Sequence, residues 1–305
     1  MLQIALTHID TILGDKKSNL LKIEKLCEKA ASNNTDIICF PELATTGYSP
    51  ELLRTELWSL SESNGGETDQ LLSKLSTQLN LTIICGFIER GEILGEIFNS
   101  AAVWTPNNES WIGTFHKIHL VNHERTWFTV GKNIPIFDTP KCRIGVMICH
   151  DAGFPELARI LTLKGADMLF LPAAWHKESK DIWSINCASR ALENGIHLAA
   201  VNRWGKEQDL NFFGGSQLIG ARGQLLKVAS HNDEDLAFCE VDFNLQAKSR
   251  LEIPYLRNRR TDIYSIEYLS ENSCFSLFAE KKCTVSNMRY WRLIKNSMMV
   301  CHSRL

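Results

Sequence analysis

The sequence predicts an α/β fold in which two β-sheets pack between layers of helix. Three observations carry this. Strand-like apolar runs alternate with amphipathic helical segments early in each half of the chain. Pairs of strands follow each alternation. The second half then repeats the plan of the first, as two stacked sheets with outer helices require.

In the first half, residues 3–7 (QIALT) read as a strand. Residues 17–31 place Leu20, Leu21, Ile23, Leu26, Cys27 and Ala30 near helical spacing. Residues 36–40 (DIICF) form a short buried strand, and 69–79 a helix with Leu71, Leu72, Leu75 and Leu79 on one face. Residues 81–88, 99–104 and 109–116 read as successive strands, the last two joined by a turn at Pro106-Asn107-Asn108. In the second half, 142–148 is a strand and 155–164 a helix with Pro155 at its first position and Gly165 past its end. Residues 167–171 are a strand and 181–193 a helix followed by Gly195. Strands at 196–202, 214–219, 224–229 and 236–241 complete the pattern.

No linker rich in Pro, Gly or Ser divides residues 1–265, which are expected to form one domain. Residues 266–305 lose the alternation and carry Cys274, Cys283 and Cys301; they are expected to be a C-terminal extension. The chain has 305 residues, 44% of them hydrophobic, enough for a large core. A net charge of −2 gives no basic surface for nucleic acid or an anionic membrane. Asp10 interrupts the N-terminal apolar run and no basic segment precedes it, so no signal peptide is expected. No apolar stretch reaches the roughly 18–20 residues that span a bilayer. Ten cysteines in a chain of this length do not make a small disulfide scaffold, and reduced thiols in the cytoplasm are expected.

Three local patterns can carry chemistry. Phe40-Pro41-Glu42 follows the buried strand DIICF, and a carboxylate at a strand end lies where α/β sites usually form. A surface-loop glutamate is the ordinary alternative. Phe115-His116-Lys117-Ile118-His119-Leu120 ends another strand; Lys117 is either solvated there or a buried cation facing a developing oxyanion. The third runs Gly145-Val146-Met147-Ile148-Cys149-His150-Asp151 into Phe154-Pro155-Glu156, a strand, a sharp turn and a helix. That arrangement exposes a nucleophile at the turn and aims backbone N–H groups and a helix N-terminus at it. Both features favour a thiolate at Cys149. Cys39, Cys85, Cys142, Cys187 and Cys239 are expected to be buried structural thiols. A zinc site from Cys142, Cys149, His150 and Asp151 has poor ligand spacing, with no CxxC pair, and no metal or cofactor is expected.

The blocks FPELATTGY, HKIHL and GVMICHDAGFPELAR, in this order and on these elements, resemble the three signature blocks of the nitrilase superfamily. The resemblance covers roughly residues 1–265 and implies a four-layer αββα sandwich and a carbon–nitrogen hydrolase. It places Glu42 as general base, Lys117 as oxyanion stabiliser and Cys149 as nucleophile. Glu124, in HERTWFTVG, matches a second, substrate-positioning glutamate of the family, although spacing there varies. His150 departs from the aromatic or acidic residue that many members carry after the cysteine; its side chain either contacts substrate or packs locally. Trp175 and His176 follow the strand DMLFLPAA and are either pocket wall or core. The resemblance implies a small amide as substrate, water as second reactant and a homodimer or higher homo-oligomer. N-carbamoyl compounds and nitriles share the same triad, and a non-catalytic scaffold of the same fold is the alternative of another class. The N-terminal stretch also resembles the glutaminase part of glutamine-dependent NAD synthetases, with no ATP-pyrophosphatase-like sequence after it in these residues.

Overall fold

The apolar runs and amphipathic segments resolve, in a computed structural model that describes residues 1–229, 235–264 and 266, into two six-stranded sheets with helices outside them. The first half contains β1 (Leu2–His8), α1 (Lys16–Ser32), β2 (Ile37–Cys39), the short helices α2 (Pro50–Leu53) and α3 (Glu56–Leu60), α4 (Glu67–Leu79), β3 (Thr82–Arg90), β4 (Ile97–Trp104) and β5 (Gly113–His116). The second contains β6 (Phe137–Asp138), β7 (Arg143–Val146), α5 (Pro155–Leu163), β8 (Met168–Ala173), α6 (Lys180–Asn194) and β9 (His197–Asn202). There follow β10 (Trp204–Glu207), β11 (Leu210–Phe213), β12 (Gln217–Ile219), β13 (Leu225–Val228), β14 (Asp235–Val241) and α7 (Phe243–Glu252).

One sheet runs β14-β1-β2-β3-β4-β5 and the other β13-β12-β9-β8-β7-β6. Each has three parallel strands at its centre, β1-β2-β3 and β7-β8-β9, flanked by antiparallel partners. The repeat seen in the sequence is therefore a repeat of sheet topology. Strand β14 returns from the second half to pair with β1, from Leu2↔Val241 to His8↔Asp235, and so ties the halves together.

The helices form where the sequence supplies both a face and an end. Asp15 Oδ1 accepts the Ser18 N–H at 3.0 Å to open α1. Asn80 and Gly195 close α4 and α6 in the left-handed conformation, φ 49° and 53°. Helices α1 and α4 cover one sheet through Ile23, Leu72 and Leu75, which pack with Ile83, Cys85 and Trp104. Helix α5 lies on the other sheet at Gly145, where a Cβ would stand 2.9 Å from Leu169 Cδ2 and 3.1 Å from Leu161 Cβ. Between the sheets, Ser216 Oγ donates to the Thr7 carbonyl at 2.8 Å. The layers are helix, sheet, sheet, helix, the expected sandwich.

Two strands begin three or more residues later than the sequence suggests. The strand expected over 109–116 begins at Gly113 because Asp69 captures the segment before it. Asp69 Oδ1 accepts from Trp104 Nε1 (2.8 Å) and Trp111 N (3.1 Å), and its Oδ2 from Ser110 Oγ (2.7 Å). The strand expected over 214–219 begins at Gln217 because Gly214 and Gly215 have φ 63° and 67°. A side chain at Gly214 would collide with His8, whose Nε2 lies 1.8 Å from the ideal Cβ position. The β10–β11 hairpin, β6, and the helices α2, α3 and α7 are additions to the sequence reading.

The described residues lie within one compact unit, Met1–Ile266. Beyond Ile266, the expected C-terminal extension lies outside the described residues. No described helix is long and apolar enough to cross a membrane.

Candidate active site

The strands β2, β5 and β7 deliver the candidate chemistry at their carboxyl ends. Chain leaving β2 passes through Phe40, whose N–H bonds the Ile84 carbonyl at 2.8 Å, and then presents Glu42 inward. Chain leaving β5 presents Lys117, whose N–H bonds the Asn99 carbonyl at 2.9 Å. Chain leaving β7 turns sharply at Cys149, which holds φ 47°, and enters a single 3-10 turn, Cys149–Gly153, before α5. A non-glycine residue in that conformation is strained, and here the strain coincides with the expected nucleophile.

Glu42, Lys117 and Glu124 are buried and bonded in series. Lys117 Nζ donates to Glu42 Oε1 and to Glu124 Oε1, each at 2.7 Å, with no side-chain exposure at any of the three. Asn99 Nδ2 donates to Glu42 Oε1 at 2.8 Å, and the Ala174 N–H to Oε2 at 2.9 Å. Glu124 Oε1 also accepts from Tyr48 Oη at 3.0 Å, and its Oε2 from the Val121 N–H at 3.1 Å. Burial alone would lower Lys117, but Glu42 and Glu124 outweigh it and hold the ammonium above its usual range.

Cys149 behaves differently from the sequence expectation. The turn and helix N-terminus predict a lowered thiol, but burial, with the Glu42 carboxylate beside it, pushes Cys149 well above the ordinary value. Lys117 and the Ala174 N–H act in the opposite direction without prevailing. The balance of these influences favours the protonated thiol. Burial likewise raises the other described thiols, Cys142, Cys187 and Cys239 to about 12. All seven described cysteines are free and buried.

The nucleophile turn is tied to the lysine loop by Asp151. Its Oδ2 accepts the Ile148 N–H at 2.9 Å. Its Oδ1 faces both the His119 N–H (2.9 Å) and His119 Nδ1 (2.7 Å). The His119 ring stacks on Phe154, 3.6 Å between centroids. A second clamp holds Tyr48: Glu207 accepts the N–H groups of Tyr48 (3.1 Å) and Ser49 (2.6 Å) and pairs with the fully buried Arg203.

Cys149 opens onto a pocket of about 420 Å³ that also meets His150, Trp175 and His176. The Trp175 N–H bonds Asn202 Oδ1 at 2.6 Å and its Nε1 the Ser179 carbonyl at 2.9 Å, so this wall is fixed in place. All seven residues singled out from the sequence thus lie in one region, three joined by direct ion pairs and three beside Cys149 on the pocket. Sequence reading missed Tyr48, Asn99, His119, Asp151, Arg203 and Glu207. Tyr48, His119 and Asp151 lie inside the signature blocks and could have been weighed there; the others give no local signal. Among the described residues, no three His, Cys, Asp or Glu side chains converge as metal ligands would.

The chain is similar to known proteins over most of its length. The family model for carbon-nitrogen hydrolases matches residues 3–250. A protein of Schizosaccharomyces pombe named as a probable nitrilase is 34% identical over 264 residues, covering 86% of this chain and 96% of its own. An omega-amidase of Danio rerio is 26% identical over 282 residues, covering 88% and 98%. A crystal structure of a carbon-nitrogen hydrolase from Helicobacter pylori superposes with a TM-score of 0.77 at 27% identity, covering 86% and 96%.

Proposed function

The chain belongs to the carbon-nitrogen hydrolase family of the nitrilase superfamily, and from that premise we propose that it hydrolyses a small amide to a carboxylic acid and ammonia through a thioester on Cys149. The observation that carries this reading is Lys117 held by two buried carboxylates directly behind the only strained cysteine of the described chain.

A carboxylate has about four acceptor positions. Three on Glu42 are occupied, by Lys117, Asn99 and the Ala174 N–H. The remaining one, on Oε2, takes the Cys149 proton as sulfur attacks the amide carbon. Lys117 and the His150 backbone N–H meet the oxyanion, an interaction class worth about 3–4 kcal/mol. Glu42 then gives its proton to the leaving nitrogen, the C–N bond breaks, and ammonia departs from the thioester. Water, deprotonated by Glu42, attacks the thioester carbon, and Cys149 regains its proton as the acid leaves. Glu124 fixes the Lys117 ammonium, and His150, Trp175 and His176 contact the acyl group.

A nitrile is the second reading, favoured by the name of the Schizosaccharomyces pombe relative; N-carbamoyl compounds would use the same groups. Ammonia release across amides, ureido acids and nitriles separates these. Cys149→Ala should abolish release from every class, and mass spectrometry of the wild type should trap an acyl adduct on Cys149. Turnover by Cys149→Ala would remove the core of the proposal, and no release from any class by the wild type would leave the fold as a scaffold. The exposed Leu163 and Ile185 on α5 and α6 support a homodimer or larger assembly through the outer helices. The free thiols support residence in the cytoplasm.

A further inference from the structure

The cleft in front of Cys149 is walled by aromatic and imidazole rings. The Tyr48 ring stands edge-on to His123 and to His176, each 5.9 Å between centroids, and Trp175 and His150 complete the wall. No lysine, arginine, aspartate or glutamate is among the described residues that line it. Behind Cys149, the carboxylates of Glu42 and Glu124 stand against the single ammonium of Lys117. The floor of the cleft therefore offers no spare cation.

Burial, assisted by Lys117, holds His150 below its ordinary range, and burial does the same to His176. Tyr48 Oη gives its proton to Glu124, so His123 Nε2 is the donor in the bond between Tyr48 and His123 at 3.1 Å. The walls thus offer ring faces and hydrogen-bonding atoms, with no lysine or arginine among them. A substrate carboxylate in this cleft would lose its water, find no guanidinium or ammonium on the walls and face two carboxylates set against one ammonium. An uncharged body would lie against the rings at no such penalty.

We propose that this cleft selects an uncharged acyl group: the substrate is an amide with no carboxylate on its acyl side, its apolar or flat portion resting against Tyr48, Trp175 and His176. The inference rests on the amidase reading above and adds the charge class of its substrate.

Glutaramide and glutaramate test it, because they are nearly isosteric and differ by one negative charge. Binding of each to Cys149→Ala protein is measured by calorimetry, and ammonia release from each by the wild type. Glutaramide should bind about 10- to 100-fold more tightly at pH 7, the range that stranding a charged group implies. Placing a guanidinium on the wall with Asn186→Arg or Ile182→Arg should shrink that ratio. Equal or tighter binding of glutaramate, binding of neither, or a ratio that neither arginine variant moves would overturn the inference. Preferential binding of glutaramide without ammonia release would leave the charge selection standing and remove the amidase reading instead.

Discussion

Replacing Lys117 with methionine should separate two roles that the structure gives to one ammonium. The lysine balances Glu42 and Glu124, both without exposed side-chain surface. Removing it leaves two carboxylates facing one methyl group. Breaking a buried ion pair costs about 3–5 kcal/mol of stability. It should also remove the oxyanion contact, worth about 10²–10³ in kcat. Glu124→Gln in the Lys117→Met background takes away one of the two stranded charges while keeping an oxygen for the Tyr48 hydroxyl. The double variant should recover about half of the lost stability, as one carboxylate of two is neutralised, and none of the lost kcat. Denaturant unfolding followed by circular dichroism reads the first quantity, and steady-state ammonia release the second. Recovery of kcat along with stability would refute the reasoning, because Lys117 would then serve only to balance charge. A rise in KM with kcat intact would refute it differently, by making Lys117 a substrate-binding residue.

Three further outcomes follow from the same geometry. Because the Cys149 thiol lies well above its ordinary value of 9.0, the far-ultraviolet thiolate absorbance lost in Cys149→Ala should be absent at pH 7 and stay absent up to about pH 9; a thiolate signal at neutral pH would contradict this. Asp151→Ala strands the Ile148 N–H and both His119 donors, so it should cost about 3 kcal/mol or more in chemical denaturation and lower kcat through the loosened turn; a loss under 1 kcal/mol would show that water replaces the carboxylate. Ile185→Arg on α6 should shift the protein from oligomer toward monomer by light scattering, whereas an unchanged mass would place the interface elsewhere.

Much of the fold was legible because each core helix carries its own face and ends. Leu72 and Leu75 set the buried face of α4, and Asn80 and Gly195 stop their helices where the sequence places them. The errors have one physical source. Nothing within 109–112 reveals that Asp69, about forty residues away, will take the Trp111 N–H from the ladder. Nothing in Gly214-Gly215 shows that His8 occupies the space a side chain would need. Hairpin β10–β11 was hidden similarly, since its Glu207 is committed to backbone groups of Tyr48 and Ser49, 159 and 158 residues away in sequence.

The candidate site divides along the same line, and the division bears on mechanism. Glu42, Lys117 and Cys149 are legible because each ends a strand inside a short distinctive block. Asn99 is not, because it lies within β4 and looks like a polar residue in a buried strand. Yet it accepts the Lys117 N–H on its carbonyl and donates its side-chain amide to Glu42, fixing two of the three groups relative to each other. The expectation of a thiolate meets an opposing influence for the same reason: the turn around Cys149 supplies a local field, whereas burial beside Glu42 is tertiary and pushes the thiol up. On the proposed mechanism this reversal constrains the chemistry. A thiol that stays protonated at rest cannot attack by itself, so proton removal must accompany carbon–sulfur bond formation. That step depends on Glu42 Oε2 being aimed at the moment of attack. The aim is set by Asn99 and the Ala174 N–H, one from each sheet, which makes the stacking of the two sheets a condition of the chemistry.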